Sequence, residues 1–286
     1  ARIPLFDFTI EAPHVMPKLA HQEGSTLYIH VGPRAGDRVY FDAEDANEEI
    51  ILYGSGGTVS VEFNDWYEEN KYTGVTHVVA DMGEGDDTFD ASRLSDVYVT
   101  VTGGNGKDLL IAGPAGGMLT GNAGNDRLLG GDADDVLTGG DGSDRLYGYG
   151  GNDVLDPGSG DDSANGGFGD DTYRFADGYG ADYLADPGGI ATFDFSACTL
   201  SLEGTLSQST IEMTQGDGNA ARLSRCPVNA LYLGSGSDTL HISCVPDRTI
   251  AIFDAGGNDD YRIRLGRPNS RKGPGVLTIT DTGGPF

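Results

Sequence analysis

The residues best equipped for chemistry in this chain are aspartates held at a fixed interval. Read in nines from residue 103, the sixth places hold Asp108, Asp126, Asp135, Asp144, Asp153, Asp162 and Asp171, and one unit alone breaks the row, with Gly117. A carboxylate is a hard, anionic oxygen donor. Rows of carboxylates stacked at strand spacing repel one another unless a cation lies between them. The cation that suits them is Ca²⁺, which takes ~6–8 oxygen ligands from carboxylates and backbone carbonyls. An acidic surface that served only solubility would have no reason to keep its aspartates in a nine-residue phase.

Other chemistries lack their signatures. There is no H-E-x-x-H for a zinc protease and no G-x-S-x-G for a lipase-type nucleophile. Gly106-Lys107 lacks both the upstream glycine and the Ser/Thr of a phosphate-binding loop. The five histidines, His14, His21, His30, His77 and His241, are scattered. No carboxylate pair is singled out for glycoside hydrolysis. The expectation is a protein that is not an enzyme.

The elements that position the aspartates are legible in the same units. Glycine fills most first, second and fourth places, and the eighth place is Leu110, Leu119, Leu128, Leu137, Leu146, Leu155, Ala164 and then Tyr173. The cleanest unit is Gly139-Gly140-Asp141-Gly142-Ser143-Asp144-Arg145-Leu146-Tyr147. This is G-G-x-G-x-D-x-U-x, with U apolar, repeated in register. It resembles the repeats-in-toxin (RTX) calcium-binding family over about residues 82–186. Single copies stand at Met82–Phe89 with Asp87, near 234–241 with Asp238, and near 254–262 with Asp259. A further copy carries Asp182 after a two-residue insertion, Phe175-Ala176.

The resemblance implies an all-β fold, a parallel β-roll or β-solenoid with irregular β flanks. Places one to six form a glycine-dependent turn. Places seven to nine form a short strand whose middle residue points inward. Two units then make one coil, and loops stack on loops 18 residues away at ~4.8 Å. One edge should stack Asp108, Asp126, Asp144, Asp162 and Asp182. The other should stack Asp135, Asp153 and Asp171, with Gly117 interrupting it. One ion between each consecutive pair gives about six Ca²⁺. The Gly117 step is expected to be empty or weakened. Asp87, Asp238 and Asp259 are candidates on the same pattern, although such isolated residues also serve as plain turn formers.

Composition bounds the rest. The chain has 286 residues, 46 of them Gly, and 45 acidic against 18 basic residues give a net charge of −27. That charge argues against a nucleic-acid partner, whose phosphates it would repel. No apolar run is long enough for a membrane span. The chain begins Ala1-Arg2-Ile3, as expected of a processed protein or a fragment.

Three regions follow. Residues 1–81 read as a β-rich N-terminal segment with an extended, Pro-bearing arm, residues 82–186 as the repeat block, and residues 187–286 as a β-rich C-terminal segment. Either flank could continue the solenoid, and a separate sandwich is the other reading for the first. Cys226 and Cys244 lie 18 residues apart, one coil of such a solenoid. Their pairing is favoured, with Cys198 left over, against three buried free thiols.

The resemblance further implies a secreted protein, at the cell surface or outside the cell, that folds on Ca²⁺. A structural building block of a surface, matrix or filament assembly is the first expectation. It would self-assemble through the solenoid ends or the N-terminal arm, with a polysaccharide or surface as a further candidate partner. A calcium-binding module of a larger secreted enzyme, toxin or carbohydrate-binding protein is the alternative.

Overall fold

A computed structural model of the chain describes residues 20–29, 47–64, 66–67, 71–206, 210–216, 220–224, 228–242, 250–263 and 277–281. These residues are all-β, with no helix among them, and they form a parallel β-solenoid. The N-terminal arm, Cys226 and Cys244 lie outside the described residues.

Two sheets face each other across one narrow core. Among the described residues the first has twelve strands and the second fifteen. In the repeat block successive strands go to alternate sheets, so each strand pairs in parallel with the strand two units on. Leu110 stands opposite Leu128, and Leu128 opposite Leu146, in one sheet; Leu119 opposite Leu137, and Leu137 opposite Leu155, in the other. All six of these leucines are fully buried. The strands are as short as Leu109–Ile111 because only the middle residue of each triplet has to reach the core.

Glycine permits the close stacking of the turns. Gly140 has φ +116°, and a methyl group built on it would lie 2.0 Å from the Asn122 carbonyl oxygen of the previous coil. A side chain there would drive the coils apart.

Both sheets run on beyond the repeats. Toward the N-terminus, Thr26–Ile29 pairs in parallel with His77–Glu84, and Glu49–Gly54 with Thr88–Leu94. The antiparallel strands Ala20–Glu23 and Thr58–Phe63 close that side. Toward the C-terminus the core becomes aromatic. The rings of Phe175 and Phe195 stack with centroids 4.5 Å apart, Tyr173 and Phe193 at 5.4 Å. The strands Leu202–Leu206, Thr210–Gln215 and Ala220–Ser224 then insert into the second sheet as antiparallel neighbours.

Beyond that insertion the parallel pairing resumes with a longer coil. Asp238 and Asp259 are 21 residues apart, against 18 within the block. The 18-residue spacing of Cys226 and Cys244 is therefore not the repeat of the strands around them. Cys198 is a free, buried thiol whose Sγ lies 3.7 Å from the Phe175 carbonyl oxygen. Burial pushes it up to about 12, with Asp177 adding to the effect.

Candidate metal centre

Every aspartate of the nine-residue row sits where its turn meets its strand, and its carboxylate points into the molecule. Asp108, Asp126, Asp135, Asp144, Asp153, Asp162, Asp171 and Asp182 are all buried, as are Asp87 and Asp238; Asp259 is half-buried. The reason is local. Each Oδ1 accepts the backbone N–H of the corresponding residue one coil earlier, which would otherwise be an unsatisfied buried donor.

Two ladders result, one on each edge. On the first, the N–H groups of Glu48, Asp87, Asp108, Asp126, Asp144 and Asp162 donate to Oδ1 of Asp87, Asp108, Asp126, Asp144, Asp162 and Asp182, over 2.7–3.0 Å. On the second, Gly117, Asp135 and Asp153 donate to Asp135, Asp153 and Asp171, over 2.6–2.9 Å. Asp238 and Asp259 repeat the arrangement beyond the antiparallel insertion: Leu202 N–H donates to Asp238 and Asp238 N–H to Asp259, both at 2.8 Å.

The second carboxylate oxygen is different. Oδ2 of Asp87, Asp108, Asp126, Asp144, Asp153, Asp162, Asp171, Asp182, Asp238 and Asp259 is buried with no hydrogen-bond partner. Asp135 departs from this pattern. Its Oδ2 accepts the N–H of Gly131 at 2.7 Å, so both of its oxygens are satisfied by backbone. It is also the residue that faces the Gly117 gap.

Glycine at the first place of a unit frames the orphaned oxygen. A methyl group built on Gly121 would lie 2.2 Å from Asp126 Oδ2 and 2.6 Å from the Gly139 carbonyl oxygen. On Gly148 the distances are 2.1 Å to Asp153 Oδ2 and 2.4 Å to the Gly166 carbonyl oxygen. A buried carboxylate oxygen and a carbonyl oxygen of the next coil thus converge on the same glycine. That donor set, all oxygen and rich in negative charge, fits Ca²⁺.

Electrostatics agree with the geometry. Without a cation, burial raises these carboxyls far above the usual range, and the neighbouring acids raise them further. Asp108, Asp135, Asp162 and Asp171 rise to about 6, Asp144, Asp153 and Asp238 to about 7, and Asp87 and Asp182 to about 8. Backbone N–H donors oppose the rise throughout and do not overcome it. A nearby divalent ion would reverse that balance in favour of the ionised form.

Sequence reasoning missed four features. Glu48 is the first rung of the long ladder, buried with its N–H on Asp87; its following Glu49-Ile50 echoes the D-x-U ending and was the available signal. Asp186 and Asp254 are buried acids at the first place of their units, where the repeat calls for glycine. The fourth feature lies at the fifth place, where the repeat allows any residue. There Asp86, Asn125, Asp134, Asn152 and Asp161 accept N–H groups from the following coil, those of Lys107, Ser143, Asn152, Asp170 and Ala181. This exposed ladder runs opposite in sense to the buried one, so the turns it reaches are clasped from both sides.

A parallel β-roll with buried carboxylates facing stacked turns offers the donor set of a hard cation between coils. Comparison with protein families agrees. Residues 120–155 match the model of the RTX calcium-binding nonapeptide repeat, in four copies. The chain therefore carries RTX repeats, which bind Ca²⁺. A search of curated proteins finds no match.

Proposed function

We propose that the protein is an extracellular structural element whose folding and rigidity are switched on by Ca²⁺. The observation that carries this reading is the ladder of buried carboxylates, all but Asp135 with one oxygen spent on backbone and the other orphaned. Such a stack is costly as an apoprotein and stable with a cation, because an ion that binds only the folded chain adds its binding energy to folding. Within the block, Asp108, Asp126, Asp144, Asp162 and Asp182 would hold ions on one edge, and Asp135, Asp153 and Asp171 on the other. The ion supplies charge neutralisation and cross-links neighbouring turns. In a calcium-poor cytosol the chain would stay loose; in a calcium-rich exterior it would stiffen.

Assembly into a surface, matrix or filament is the biological role we assign. The two ends of the solenoid differ in a way that supports it. Among the described residues, the outermost strands Leu277–Asp281 and Asp260–Ile263 each have one parallel neighbour, whereas Ala20–Glu23 and Trp66–Tyr67 at the opposite end each have one antiparallel neighbour. Strand ends of this kind accept a further strand. No helix among the described residues is long and apolar enough to cross a membrane.

Circular dichroism with sedimentation velocity, following Ca²⁺ addition after EDTA, tests both parts. A cooperative gain of β signal that Mg²⁺ does not reproduce is expected, with larger species appearing in the same step. A β signal complete in EDTA would overturn the calcium switch. A monomer at every concentration would overturn the assembly role alone.

A further inference from the structure

A second kind of cation site lies where the longer coils resume. Oxygens of Asp238, Asp254 and Asp259 lie within 4.8 Å of one another, one from each carboxylate. Asp238 and Asp254 are each 2% exposed. Asp238 spends Oδ1 on the Leu202 N–H and leaves Oδ2 buried with no partner. Asp259 does the same toward the Asp238 N–H. Asp254 Oδ1 accepts the Gly256 N–H at 3.0 Å, and the Tyr261 hydroxyl donates to its Oδ2. Arg262, the cation in that strand, is paired with Asp260 at 2.7 Å.

Asp254 occupies the first position of its unit, five residues before Asp259. It is one of three acids at that position: Asp177 is exposed and taken by Thr199, Leu200 and Gln215, and the unit of Asp186 has Ala191 where Asp254 has Asp259. In the block that position is glycine at 103, 121, 130, 139, 148 and 166, and a methyl group built there would lie 2.0–2.4 Å from the facing aspartate Oδ2. Met82, Pro157 and Leu233 fill the same position with apolar groups. At 254 the chain instead sends a carboxylate toward two others. Burying like charges together costs several kcal/mol unless a counter-ion joins them.

We propose that Asp238, Asp254 and Asp259 bind one Ca²⁺ outside the repeat block, with Tyr261 positioning Asp254. Its anionic ligands come from three side chains, whereas a block site draws on two ladder aspartates and the carbonyls of stacked turns. Asp254 is not a repeat aspartate, and the site does not depend on occupancy of the block.

Two readouts on the full chain test it: Ca²⁺ counting by equilibrium dialysis, and luminescence of Tb³⁺, which a tyrosine beside the ion sensitises. Asp254→Asn should bind one Ca²⁺ fewer than the wild type at saturation. Tyr261→Phe should keep the count and lose one component of the Tb³⁺ emission. A wild-type count in a folded Asp254→Asn would overturn the proposal. Should Asp254→Asn fail to fold in calcium, unchanged Tb³⁺ emission from Tyr261→Phe would overturn it instead. If the block bound nothing while this site did, the wild-type count would fall to about one and Asp254→Asn would abolish it, which separates the two readings.

Discussion

The two edges of the roll are built from the same repeat and carry different loads. On one, six consecutive aspartates from Asp87 to Asp182 are linked rung to rung and headed by Glu48. On the other, only Asp135, Asp153 and Asp171 are linked, and the row starts from a glycine. Where the row starts, Asp135 turns its second oxygen back to its own turn. The carboxylate beside the Gly117 gap is satisfied by backbone, and those further along either row, ends included, are not. The contrast separates what the aspartate does for the fold, through Oδ1, from what it offers a metal, through Oδ2.

The largest effect expected is of pH on the chain in chelator. These acids have folded pKa values raised above the ordinary ~4. Their neutral form therefore favours the folded state, and stability is greatest near pH 4 and is lost as pH rises through about 6 to 8. Acidification in EDTA from pH 8 to 5 should restore β signal by circular dichroism. In calcium the sign reverses, because the ion needs ionised carboxylates and acid releases it. Asp87 and Asp182 on the long edge rise to about 8 and the short edge only to about 6 to 7, so the last groups to ionise as pH rises should be Asp87 and Asp182, readable by carboxyl NMR.

Next in size is the loss of a central rung. Asp144→Ala removes a carboxylate shared by two neighbours and orphans the buried Asp126 N–H, at about 1–3 kcal/mol for the N–H alone. The calcium midpoint of folding should rise at least tenfold, about 1.4 kcal/mol more. Asp144→Asn keeps the acceptor and should show the metal effect without the hydrogen-bond effect. Asp171→Ala, at the end of the short row, should shift the midpoint less. Equal shifts would mean that the edges are not distinct.

The smallest effect comes from repairing the short edge. A methyl group built on Gly117 meets Val99 Cγ2 at 2.8 Å and Ala112 Cβ at 3.1 Å. Gly117→Asp alone should cost about 1–3 kcal/mol in urea unfolding. Adding Ala112→Gly should recover part of that cost and raise the calcium count by one. An unchanged count in the folded double variant would show that the row is broken by more than the missing carboxylate.

The sixth and eighth places of the repeat, and with them the all-β solenoid, could be read directly because their partners lie 18 residues away at each step from Asp108 to Asp162 and from Gly117 to Asp171. What escaped reading lies where that interval fails. Glu48 meets Asp87 across 39 residues, and Leu202 meets Asp238 across 36, because hairpins of irregular length intervene. Asp186 and Asp254 were hidden for another reason: the motif prescribes glycine at their position, so an acid there looks like decay of the repeat. The fifth-place ladder was invisible because Asp, Asn and Ser can all accept the same N–H, and the motif records no preference.

The clasping of turn to turn has a consequence for how the molecule meets force. Coils lie across the long axis, so tension applied at the chain ends would peel them singly from an end. Each coil of the block adds ~4.8 Å to the length of the solenoid while folded. Released, its 18 residues extend to roughly 60 Å. The 18-residue coils would therefore yield in equal steps, each requiring the breakage of a buried rung, of any metal beside it and, where the fifth place supplies one, of an exposed rung, while the unequal coils toward the flanks would yield in unequal ones.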